Sequence, residues 1–125
     1  MAGALTHLAA GFILFIIGYY VFKSYFKGEN KTKDILVLLF VCLGFSIIPD
    51  FFLIIYYITH ISSFEEFLYY HYFINIIIIM IVIVSPFLIK YNVKKESRPI
   101  FIMAISSLTF HIIMDLLVEE TSLWL

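Results

Sequence analysis

Residues 71–89 read HYFINIIIIMIVIVSPFLI, and what this stretch becomes decides the fold. From Ile76 to Val84 it is so rich in β-branched side chains that in water it would favour a strand. The apolar run is too long for a strand, however, and has neither polar alternation nor turn residues. It therefore reads as a helix that crosses a membrane, where every backbone polar group must be satisfied within the segment. Its length is close to the roughly 20 residues needed to span the hydrocarbon core.

Three more segments of this kind lie outside it, at about 4–22, 35–58 and 99–118. With 63% hydrophobic residues in 125, the chain is no soluble globular protein. The expected fold is all-α, a single integral membrane domain over residues 1–125 in which four transmembrane helices form a compact bundle. A net charge of −1 and the absence of a basic stripe give no footprint for nucleic acid. Cys42 is the only cysteine, so no internal disulfide can form. No Lys or Arg precedes the first apolar segment and no small-residue cleavage site follows it, so that segment is expected to stay as a helix.

Local signals refine the segments. Asp34 and Ser97 are plausible N-caps for the second and fourth helices, the latter with Pro99 in the first turn. Pro49 and Pro86 should kink the second and third helices, with Ser46 placed to bridge the carbonyl that Pro49 frees. Gly11, Gly18 and Gly44 read as points of close helix packing.

Charge sets the orientation. Every Lys and Arg lies in the first linker (Lys23, Lys27, Lys31, Lys33) or the third (Lys90, Lys94, Lys95, Arg98), which places both linkers in the cytoplasm. A multi-pass protein of the cell membrane is expected, with both termini, the Glu65-Glu66 linker and the Glu119-Glu120 tail outside. Asn30-Lys31-Thr32 then escapes glycosylation despite its pattern. Tyr56, Tyr57, Tyr69, Tyr70 and Trp124 form an outer aromatic belt, with His60 as an interface residue, and Tyr19, Tyr20, Tyr25 and Tyr91 an inner one.

Against this background the ionisable residues within the spans stand out. His111 and Asp115 are one helical turn apart on one face, in an apolar run where an imidazole and a carboxylate are costly. At ~1.5 Å per residue, His111 lies about 10 Å, Asp115 about 5 Å and Asp50 about 12 Å below the outer helix ends. His7 and His71 open the first and third helices at the outer boundary. All five thus share the outer half of the bilayer. The separations His7 to Asp50 and His71 to Asp115 are nearly equal, which suggests two pseudo-repeated helical hairpins.

Imidazole nitrogen and carboxylate oxygen are the donor set for a divalent metal, zinc above all, with manganese or magnesium as alternatives. The candidate ligands are His7, Asp50, His71, His111 and Asp115, with Asp50 or Glu66 as general base. A zinc ion held by His7, His111, Asp115 and either Asp50 or His71 would acidify a water for attack on an ester or phosphodiester. Met1 to Gly11 (MAGALTHLAAG), Ile48-Pro49-Asp50 and His111 to Leu117 (HIIMDLL) resemble, in order and spacing, the Thr-His, Pro-Asp and His-x3-Asp motifs of the YdjM-like membrane-bound metal-dependent hydrolases. The resemblance implies Thr6-His7, Asp50, His111 and Asp115 as metal-site residues. Phe52 stands where the family has a second aspartate, and Glu66, Tyr70 and Tyr72 replace a histidine, a threonine and a serine of its third motif.

The expected function is a metal-dependent hydrolase acting on a lipid or lipid-linked ester or phosphoester. The alternatives are a non-catalytic structural or partner-binding membrane protein, with the His/Asp cluster as interhelical glue, and a small ion or metal transporter. Candidate partners are the bilayer, a lipid substrate and further copies of the chain in a homo-oligomer.

Overall fold

The computed structural model describes residues 3–59 and 63–117. The expectations for His60, Glu119, Glu120 and Trp124 lie outside the described residues. The elements are α1 (Ala4–Val21), α2 (Lys31–Ile47), a 3₁₀ turn (Ile48–Asp50), α3 (Phe51–Thr59), α4 (Phe64–Asn92) and α5 (Arg98–Leu117). Among the described residues, four stretches are long and apolar enough to cross a membrane: Ala4–Val21, Lys31–Asp50, Glu65–Asn92 and Arg98–Leu117.

α1 and α2 form one hairpin and α4 and α5 another, and α2 packs against α5 between them. The hairpins are not packed alike. α1 touches both α2 and α5, whereas α4 meets α5, α3 and the 3₁₀ turn. At one end, residues of the first linker (Tyr25, Phe26) and the third (Glu96, Ser97) line a common cavity, so the two Lys-rich linkers meet there. Gly28, at φ 87°, makes the reversal from α1 to α2 in a conformation that other residues rarely adopt.

Polarity is distributed as a membrane demands. One buried apolar cluster gathers Phe26, Leu38, Cys42 and Met103, with Leu14, Phe15, Tyr19, Phe22 and Ile35 against it. The interior also holds His7, Ser46, Asp50, His71, Ser85, Ser107 and His111, while Phe40, Ile58, Ile83, Phe87 and Leu116 are exposed. Small residues let the helices approach. A Cβ built on Gly11 would lie 2.6 Å from Ser46 Oγ and 2.9 Å from the Cys42 carbonyl oxygen, so α1 meets α2 there nearly backbone to backbone.

Several expected boundaries shift. α2 begins at Lys31 with Asn30 at the cap position, and Asp34 is a first-turn acid, not the cap. The second span does not run unbroken to Ile58. Pro49 has no N–H for the Phe45 carbonyl, and the chain tightens into the 3₁₀ turn before continuing as α3. Ser46 does not bridge that gap, because its hydroxyl donates to the Cys42 carbonyl at 2.7 Å. α4 begins seven residues earlier than expected: Ser63 caps it by accepting from the Glu66 amide, and His71 lies two turns inside. α4 continues through Pro86, and the Ser85 hydroxyl donates at 2.9 Å to the Val82 carbonyl, the group that proline leaves without its helical donor.

Candidate metal centre

Each polar residue of the site is placed by a different element. His7 is in the first turn of α1, Asp50 closes the 3₁₀ turn, His71 and Asn75 are successive turns of α4, and His111 and Asp115 successive turns of α5. They meet at the end of the bundle away from the Lys-rich linkers. The Pro49 break matters here. Because the chain tightens at Ile48, Asp50 points into the bundle and is fully buried, although α3 beyond it packs on α4 and the turn.

The two aspartates stand at the centre. His7 Nε2 lies 3.3 Å from Asp50 Oδ2 and 3.2 Å from Asp115 Oδ1. His111 Nε2 lies 3.6 Å from Asp50 Oδ1 and 3.4 Å from Asp115 Oδ2. The His7 and His111 rings stack at 4.1 Å between centroids with 21° between planes. His71 faces both carboxylates, with Nδ1 3.3 Å from Asp50 Oδ1 and Nε2 2.9 Å from Asp115 Oδ2.

The partners of these nitrogens fix one proton position. His111 Nδ1 is 2.8 Å from the Ser46 carbonyl oxygen, which can only accept, so Nδ1 carries a proton. A neutral His111 then turns the bare lone pair of Nε2 toward two carboxylate oxygens. Neither that Nε2 nor either Asp50 oxygen has a hydrogen-bond partner among the described residues. His7 Nε2 faces two carboxylates and holds one proton at most. Two buried carboxylates need positive charge beside them, which an imidazolium or a bound cation supplies.

The four separations from His7 and His111 to the aspartates, 3.2 to 3.6 Å, run to both oxygens of each carboxylate and are long for charge-assisted hydrogen bonds. His7, Asp50, His111 and Asp115 each bring one ligand atom within 4.8 Å of the others, and this buried group could hold a metal ion. The Nδ1–H bond of His111 to a backbone carbonyl is the usual outer contact that aims the other ring nitrogen at a metal.

Comparison with family models, curated proteins and solved structures finds no match.

The candidate residues separate by position. His7, Asp50, His111 and Asp115 come together as the donor set. His71, expected as a ligand at a helix start, is not one of these four. It sits against both carboxylates, and Asn75 Nδ2 lies 3.1 Å from its Nε2. Glu66 is exposed in the first turn of α4 and stands outside the buried group. Two contributors escaped the sequence analysis. Asn75 has a readable signal, a lone amide four residues after His71 in an apolar run. The Ser46 carbonyl has none, since backbone groups carry no sequence label.

Proposed function

We propose that this chain is a metal-dependent hydrolase of the membrane, YdjM-like in its Thr-His, Pro-Asp and His-x3-Asp motifs, acting on a lipid or lipid-linked ester or phosphoester. The observation that carries this reading is the convergence of His7, Asp50, His111 and Asp115, in which His111 Nδ1 is tied to the Ser46 carbonyl and Nε2 faces two carboxylates. His7, Asp50, His111 and Asp115 would hold a divalent ion, with zinc best suited to a set of two nitrogens and two oxygens. When bound, such an ion supplies Lewis acidity toward an ester or phosphoester and acidifies a water.

The protein's own groups do the rest. Asp50 and Asp115 each carry a second oxygen beyond the one needed as ligand, and either can hold a proton during the reaction. His71 keeps both carboxylates turned toward the ligand position, and the stacked His7 and His111 rings close one side of it. By the positive-inside rule the centre belongs to the extracytoplasmic half, with both termini on that side.

Metal analysis of the purified protein tests this. About one zinc, manganese or magnesium per chain is expected, and none in a His111→Ala, Asp115→Ala double variant. Equal metal content in both would remove the foundation and leave the cluster as interhelical glue.

A further inference from the structure

The centre is closed on nearly every side. The side chains of Asp50 and His111 are 0% exposed, His7 1% and His71 2%, whereas Asp115 is 8% exposed. Asp115 gains that exposure in a groove of about 260 Å³ between α4 and α5, lined by His71, Asn75, Ile76, Ile79, Ile112 and Leu116 among others. The groove is apolar along most of its length and polar at the end where Asp115, His71 and Asn75 meet. Ile76, Ile79 and Leu116 are exposed apolar side chains on two helices long and apolar enough to cross a membrane, so the groove mouth opens on the face that such helices turn to lipid. From His71 to Ile79 the wall runs about 12 Å at ~1.5 Å per residue.

An apolar channel of that length, open sideways to the hydrocarbon and ending at buried donor atoms, is complementary to an amphiphile lying with its chain along the wall. We infer that the α4–α5 groove binds one acyl chain of a membrane phospholipid, whose ester-bearing headgroup reaches the centre past Asp115 from within the bilayer. This inference rests on the proposed metal-centre reading and narrows its substrate class to membrane phospholipids entering laterally. Asn75 is a positioning residue in it: at 3.1 Å from His71 Nε2 its amide stands where the headgroup must pass, and its Oδ1 has no hydrogen-bond partner among the described residues.

Native mass spectrometry of the full chain, titrated in detergent with dioleoylphosphatidylglycerol, tests the groove, and metal content is measured on the same samples. Ile76→Trp and Ile79→Trp place indoles in the groove from exposed positions, and Ile83→Trp, an exposed residue one turn beyond Ile79 and outside it, is the control. The expected result is one retained lipid per chain in the wild type and in Ile83→Trp, and about tenfold weaker retention in the combined Ile76→Trp, Ile79→Trp variant, with metal content equal in all three. Equal lipid retention in the filled and unfilled proteins, with metal present, would overturn the groove. Absence of metal from the wild type would instead overturn the reading beneath it.

Discussion

His111 has two nitrogens with opposed surroundings, a backbone acceptor at Nδ1 and two carboxylates at Nε2. On the proposed reading that division makes His111 a ligand and leaves His71, which faces both carboxylates, to orient them. The two histidines should therefore differ when replaced. His71→Asn is expected to weaken metal affinity by about 10–100-fold, as the loss of an outer-shell partner does, and not to abolish it. His111→Ala should abolish stoichiometric binding, because it removes a ligand. Metal titration monitored calorimetrically distinguishes these outcomes, and equal losses would cancel the assignment. Asp50 and Asp115 were recognisable from the sequence because a carboxylate in lipid is costly. The division of labour between His71 and His111 was not, because it depends on which ring nitrogen faces what.

Two backbone devices decide whether those side chains meet. Close approach of α1 to α2 at Gly11 brings His7, one turn earlier, to Asp50, so Gly11→Val should force the helices apart. The cost is expected at about 1–3 kcal/mol from overpacking, read as a lower thermal midpoint in detergent, with reduced metal content. Gly44→Ala is the control, since nothing lies within 4 Å of a Cβ there, and it should leave metal content unchanged without lowering the midpoint. The 3₁₀ turn is the second device. Pro49→Ala restores the donor for the Phe45 carbonyl and favours a continuous helix, which turns Asp50 away from the centre. Retained folding with lost metal is expected, and full metal content in Pro49→Ala would show the break to be incidental. Proline announced the break in the sequence, but which way the chain leaves it depends on what α3 packs against.

The molecule as a whole is a bundle with a polar, carboxylate-rich centre at one end and its Lys and Arg at the other. A metal bound only by the folded state adds stability by mass action, about 2.7 kcal/mol when the free ion is at 100 times its dissociation constant. Chelator should therefore lower the thermal midpoint of the wild type and leave that of the His111→Ala, Asp115→Ala variant unmoved. Orientation is tested separately. An alkaline phosphatase reporter fused after Leu125 is expected to be active and the same reporter in the linker after Gly28 inactive, and the opposite pattern would invert the topology.

Much of this was written in one dimension. Apolar runs of spanning length set the four-helix class, the grouping of Lys and Arg set the expected polarity across the membrane, and ionisable residues in lipid marked His7, Asp50, His71, His111 and Asp115 as the positions to watch. These signals are local, since they follow from transfer free energies of single residues and short segments. The bond from His111 to the Ser46 carbonyl, the displacement of Glu66 from the centre and the groove that exposes Asp115 came from packing alone. Each depends on distances between residues far apart in the chain, or on a backbone group that every residue carries alike, and helical spacing within one segment contains neither.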